Sequence, residues 1–422
     1  MLRLDTRFLP GFGEALRQNA PRLLKARSAL LARKGEPQAM LGWLDLPEDT
    51  ETLRAVRRYR EANPWVEDFV HIGIGGSALG PKALEAAFGD GRVRFHFVDH
   101  VEPEPLRALL ARLDPRKTLV NVVSKSGATA ETLATFFLFL RWLQEALGEG
   151  WRRHVAVTTD PHGGPLRAFA EGEGLKSFPI PEAVGGRFSV LSPVGLLPLA
   201  FAGVDLEALL AGARKANAQA QGPLEEALPL HTALLQDLHR DRPVSVFMVY
   251  SERLKHLPFW FVQLHSESLG KRDREGRRVG TTALPALGPQ DQHAQVQLFR
   301  EGPPDKLIAL LIPENPVADL EIPEVEGLEA VAYLQGKTFH RLLRAEAEAT
   351  YQALAEADQK AYALYLERVD PYGVGWLLQH LMWQTALLGE LWGVNAFDQP
   401  GVELGKRLTR AFLEDGSVET SL

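Results

Sequence analysis

Short, continuously apolar runs alternate along this chain with stretches whose apolar residues recur every three or four positions. "EDFVHIGIG", "VRFHFVDH", "TLVNVVS" and "HVAVTT" read as buried strands, with helical patterns between them. A second set begins near residue 205, where "VDLEALLAGARKANAQAQ" and "LEEALPLHTALLQDLHR" predict helices ahead of the strand "PVSVFMVY". A helix over "LPFWFVQLHSESLG", a strand at "KLIALLI", a helix over 337–357 and a strand near "AYALYLERV" follow. Strands alternating with helices imply parallel crossover units with both sheet faces covered. The pattern therefore predicts an α/β protein of two tandem three-layer αβα units with mainly parallel sheets. Residues 1–45 form a helical lead-in, 46–204 the first unit, 205–395 the second, and 396–422 a Gly/Pro-punctuated turn with a final helix. The apolar "LATFFLFL" is expected to be core packing.

Composition narrows the function. Of 422 residues, 45% are hydrophobic and 24% charged, ordinary values for a folded domain protein. Net charge is −7 with the signs scattered, so nothing resembles the basic footprint of a nucleic-acid binder. No apolar run approaches the ~18 residues of a membrane span, and "MLRLDTRFLPGFG" lacks a secretion signal, so a cytoplasmic location is expected. With no cysteine, thiolate catalysis and cysteine-ligated metal centres are excluded. Scarce Met and Asn alongside abundant Arg and Pro suit a hot-living source and genomic base bias equally.

Two strand-to-helix turns carry candidate chemistry. "GIGGSALG" (Gly73–Gly80) satisfies a dinucleotide pattern through Gly73, Gly75 and Ala78, with Asp99 ending the next strand. The second turn, "VSKSGATAET", crowds Ser124, Ser126 and Thr129 around Lys125 and Gly127. A nucleotide domain has no use for it. Helix N-termini present free N–H groups and partial positive charge, and hydroxyls add donors without bulk, so the cluster points to a phosphomonoester. A helix cap would explain one hydroxyl, not several. "GVELGKRL" has the wrong spacing for an NTPase loop, and no strand leads into it.

These loops resemble the two sugar-phosphate loops of the SIS (sugar isomerase) fold. "AVGGRFSVLSPVG" and "FDQPGVELGK" resemble the two diagnostic motifs of the glucose-6-phosphate isomerase family, and "HSESLGK" and "GPQDQHAQVQLF" two further active-site blocks. The blocks stand in the family's order over 72–406. The resemblance implies two SIS-type domains and reversible aldose–ketose isomerisation of glucose 6-phosphate and fructose 6-phosphate, without redox cofactor or metal. It makes Glu267 the base, in a helix whose burial and C-terminal position would disfavour a carboxylate charge. It casts Arg187 as the cation for the enediolate, and His293, reaching in from the partner of a homodimer, and Lys406 as ring-opening groups. Gly76, Ser77, Ser124, Lys125, Ser126, Thr129 and Gln399 become substrate contacts. The departures are small: the phosphate loop is of the shorter bacterial type, and "GPQDQ" replaces a "TNGQ"-like turn before His293.

Competing readings are a bifunctional phosphoglucose/phosphomannose isomerase, a non-catalytic sugar-phosphate sensor and a dinucleotide oxidoreductase. Lys125 and the complete "FDQPGVELGK" block favour the ordinary isomerase, and no DNA-binding segment supports a sensor. His96 and His100 share a strand face, but no further ligand cluster supports a metal there. "KRDREGRR" reads as a solvated charged loop.

Overall fold

The computed structural model describes residues 2–415. It begins with a strand, β1 (Leu2–Asp5), where the lead-in was expected to be helical throughout. The first sheet consists of β2 (Asp68–Ile72), β3 (Arg94–Val98), β4 (Thr118–Ser124), β5 (Val155–Thr159) and β6 (Lys176–Pro179), all parallel, in the order β3-β2-β4-β5-β6. After it come β7 (Val244–Val249), a two-stranded hairpin of β8 (Lys271–Arg272) and β9 (Arg278–Val279), then β10 (Thr282–Leu287), β11 (Lys306–Asn315) and β12 (Lys360–Arg368). The second sheet runs β1-β12-β11-β7-β10, parallel except for β1, which lies antiparallel on β12. The fold is thus α/β with two mainly parallel sheets, as the alternation predicts. The charged "KRDREGRR" segment is this hairpin rather than an open loop.

Central strands β2, β4 and β5 are buried along their whole length, which is why they read as unbroken apolar runs rather than alternations. The helix Pro371–Trp392 is buried on nearly every face and packs on the helices Phe12–Ala32, Leu206–Gln221, Leu228–Leu238 and Leu257–Leu269. Two of its side chains, Gln379 and Trp383, are tied through Asn217 to the lead-in. Asn217 Nδ2 donates to the Leu44 carbonyl at 2.8 Å, while Gln379 Nε2 and Trp383 Nε1 donate to Asn217 Oδ1 at 2.7 and 2.8 Å. Trp43 of the lead-in lies between the rings of Trp383 and Phe188, at 5.6 and 5.4 Å. The lead-in is therefore built into the body of the molecule.

The "LATFFLFL" stretch is only half core. Phe136 and Phe139 are buried under the first sheet, whereas Phe137 is 60% exposed and Leu138 41%. These two side chains are ordinary apolar surface on the outer face of the helix.

Candidate functional site

In the first sheet β3 lies on one side of β2 and β4 on the other, so the strand order reverses between β2 and β4. Ligands of open parallel sheets bind beyond the carboxyl ends of the strands at such a switch point. The turns after β2 (Gly73–Ser77) and after β4 (Ser124–Thr129) flank it, and these are the two turns singled out by their chemistry. Gly127 has φ +64°, and a Cβ there would lie 3.0 Å from the Leu166 nitrogen, so the turn requires glycine. Thr129 is the N-cap of the helix Ala130–Leu147, yet its hydroxyl caps nothing; it pairs with Ser124 Oγ at 2.9 Å. Ser126 is exposed, its Oγ accepting from the Ala128 nitrogen at 3.3 Å. Lys125 donates to the carbonyls of Glu182 and Val184 at 2.6 and 2.9 Å, so its ammonium ties down the segment leading to Arg187. Burial pushes its pKa down, with Asp160 and Glu182 opposing.

The second half of the site is built around Arg187, which is 2% exposed and sits in a single turn, Gly186–Phe188. Nε donates to Ser268 Oγ at 2.7 Å. Nη1 donates to Glu267 Oε2 at 3.1 Å and to Gln399 Oε1 at 2.8 Å, and Nη2 donates to the carbonyls of Ala396 and Asp398 at 2.6 and 2.9 Å. One planar fork thus fixes the Glu267 helix and the 396–399 loop together. Burial lowers the Arg187 pKa and Glu267 counters it, leaving the group a cation.

Glu267 stands near the end of the helix Leu257–Leu269, with Gly270 as its C-cap. The enclosure expected for it is partial. Its side chain is 35% exposed and is met by a guanidinium and an amide, since Gln263 Nε2 donates to Oε1 at 3.2 Å. Phe259 on the same helix is itself 48% exposed.

Glu267 and Gln399 line an open cavity of about 810 Å³ together with Lys271, Arg272, Arg278 and Val402. The hydroxyl turns lie outside that lining but are joined to it through backbone. A Cβ on Gly76 would fall 2.3 Å from the Gly186 carbonyl carbon and 2.6 Å from the Arg187 nitrogen, so only glycine lets the two turns touch. Among the expected residues, the structure brings Gly76, Arg187, Glu267 and Gln399 together. It does not bring His293 or Lys406 to them. His293 is exposed in the turn Gln290–His293. Lys406 is exposed on the helix Glu403–Asp415, ion-paired with Glu403 at 2.8 Å.

Three contributors escaped the sequence reading: Gln263, Ser268 and Lys271. Gln263 is one helical turn before Glu267, a spacing that could have flagged it. Lys271, nearly buried, donates to the carbonyls of Asn395 and Asp398, both at 2.7 Å, and to Asp398 Oδ1 at 2.9 Å. With Arg187 it straps the 395–399 loop from two sides. His96 pairs with Asp68 at 2.9 Å, and among the described residues no group of three His, Asp or Glu is arranged to hold a metal.

Parallel sheets with hydroxyl-bearing turns over their carboxyl ends, and a carboxylate–guanidinium pair packed against one of those turns, define an α/β protein of the SIS type. The phosphoglucose isomerase family model matches residues 47–421, and the chain belongs to that family. A glucose-6-phosphate isomerase of Thermus thermophilus is 76% identical, the match covering 97% of this chain and 99% of the relative. A crystal structure of a hypothetical protein, also from Thermus thermophilus, superposes with a TM-score of 0.97 at 76% identity, covering 98% and 100% of the two chains. A glucose-6-phosphate isomerase structure from Chlamydia trachomatis gives a TM-score of 0.76 at 27% identity, covering 87% of this chain and 74% of that one.

Proposed function

We propose that the chain interconverts glucose 6-phosphate and fructose 6-phosphate by ring opening and proton transfer through an enediolate. The observation that carries this reading is the Glu267–Arg187 pair, a base and a permanent cation on opposite sides of one contact. The Glu267 carboxylate takes the C2 proton of the open-chain aldose, and the electron pair left behind forms the C1–C2 enediolate. The Arg187 guanidinium, desolvated and already fixed by its other bonds, faces the developing oxygen charge and needs no reorganisation to meet it. The O2 hydroxyl proton passes to O1 and the proton on Glu267 returns to C1, giving the ketose with no change of net charge on the enzyme. Ser77, Ser124, Ser126 and Thr129 hold the phosphate, helped by the backbone at Gly76 and the charge of Lys125. Gln399 holds the sugar. The domain division given above and a cytoplasmic location belong to the same reading; among the described residues no helix is long and apolar enough to cross a membrane. The test is direct. Conversion proceeds with chelator present and no nicotinamide added; absence of turnover under those conditions contradicts the reading, and equal turnover of mannose 6-phosphate favours the bifunctional alternative.

The same reading makes the chain a homodimer in which His293 enters the partner's site. Supporting it, His293 stands exposed and outside the cavity of its own chain. The segment between β11 and the helix Phe339–Glu356 also displays Val317, Leu320 and Tyr333 at 64%, 71% and 72% exposure, a surface suited to a second copy. Lys406 is read as the other ring-opening group, a role that needs its helix Glu403–Asp415 to lie closer to Glu267 with substrate bound. Mixing Glu267→Gln and His293→Ala proteins, each inactive alone, is expected to restore turnover. Half of randomly paired dimers are hybrids, each with one intact site of two, so about a quarter of wild-type activity returns. No recovery after verified subunit exchange would place His293 outside the partner's site.

A further inference from the structure

The middle of the first sheet contains a polar chain that the reaction does not use. His71 on β2 and Asn121 on β4 face each other in register, and Thr158 lies on neighbouring β5. All three are fully buried. Parallel-sheet interiors are normally aliphatic, and each buried polar group must find a partner or cost stability. These groups do. Thr158 Oγ1 donates to Asn121 Oδ1 at 3.0 Å, Asn121 Nδ2 points at His71 Nδ1 at 3.5 Å, and His71 Nε2 lies 2.7 Å from the Ser77 carbonyl oxygen.

The direction of the chain follows from its last link. A carbonyl oxygen only accepts, so Nε2 carries the hydrogen and Nδ1 is left to accept from Asn121. Burial holds the imidazole near pKa 4, so the ring is neutral at working pH and keeps this tautomer. Phe97 flanks the ring, with centroids 5.3 Å apart, and limits its tilt. The acceptor at the end is the backbone of Ser77, in the turn whose Gly76 packs on Gly186 and Arg187. A displacement of that turn moves the Ser77 hydroxyl, while Arg187 keeps its place through five hydrogen bonds of its own.

We propose that His71 is a positioning residue: the Thr158–Asn121–His71 chain, anchored in three adjacent strands, sets the place of the Gly76–Ser77 turn from beneath. The inference rests on the reading that this turn grips the sugar phosphate. His71→Leu keeps the bulk but leaves the Ser77 carbonyl and the Asn121 amide unpaired. It is expected to raise KM for glucose 6-phosphate about fivefold or more, in line with the loss of one hydrogen bond, while kcat changes little. The Ki of inorganic phosphate rises in parallel. Thr158→Val, which keeps the shape but leaves Asn121 Oδ1 unpaired, moves both constants the same way by less, and His71→Gln, which keeps an N–H within reach of Ser77, recovers part of the loss. Val120→Ala in β4 serves as the control for stability loss alone and leaves KM unchanged. If Ser77→Ala raises KM while His71→Leu and Thr158→Val do not, the positioning role is overturned and the turn's role stands. If Ser77→Ala also leaves KM unchanged, the reading beneath it fails as well. A KM rise in Val120→Ala equal to that in His71→Leu likewise overturns the proposal.

Discussion

Glu267→Gln lowers kcat for glucose 6-phosphate by about three orders of magnitude, within the 10²–10⁴-fold range for loss of a general base. The amide has the carboxylate's shape and keeps an oxygen facing Arg187 Nη1, so the buried guanidinium does not lose its partner outright. Melting temperature and KM should therefore stay close to wild type. A fall in kcat with KM and melting temperature unchanged separates lost chemistry from lost structure. Turnover at the normal rate in this variant means that another group moves the proton.

Arg187→Lys is the second large effect. An ammonium has three donors on a flexible stem, while Arg187 makes five hydrogen bonds from one rigid plane to Ser268, Glu267, Gln399 and the carbonyls of Ala396 and Asp398. Lysine preserves the charge but cannot hold the base helix and the 396–399 loop in one geometry. Displacing a preorganised cation from a developing oxyanion is expected to cost about 10²–10³ in kcat, the range for one such electrostatic contact. Melting temperature falls too, because at least two buried acceptors lose their partner. Activity near wild type in Arg187→Lys would show that charge alone suffices and that the fork is structural.

Much of this site was visible before the structure because its chemistry sits at places that local patterns mark. A hydroxyl cluster after a β-branched strand and before a helix, as at Ser124–Thr129, combines a turn signal with a binding signal. What stayed hidden depends on contacts far apart in the chain. Strand β1 is four residues long and exists through its pairing with β12, more than 350 residues later. The Pro371–Trp392 helix is buried all round, so it lacks the polar stripe by which a helix is recognised. Lys271 and Ser268 act on residues more than 80 positions away, and nothing in "ESLGK" says which carbonyls the lysine will strap. The exposed side chains of Phe137 and Phe259 show the converse limit: apolar spacing does not say which apolar side chains the fold will cover. Residues 416–422, the end of the final segment, lie outside the described residues.

The central claim is that one hydroxyl-rich turn holds the phosphate while a carboxylate and a guanidinium work on the carbons at the other end. A crystal structure with a linear sugar-acid phosphate bound tests both ends at once. The account predicts the phosphate within hydrogen-bond reach of Ser77, Ser124, Ser126 and Thr129, and the acid end against Arg187 and Glu267. A phosphate seated instead on Arg272 and Arg278 in the cavity wall would contradict it.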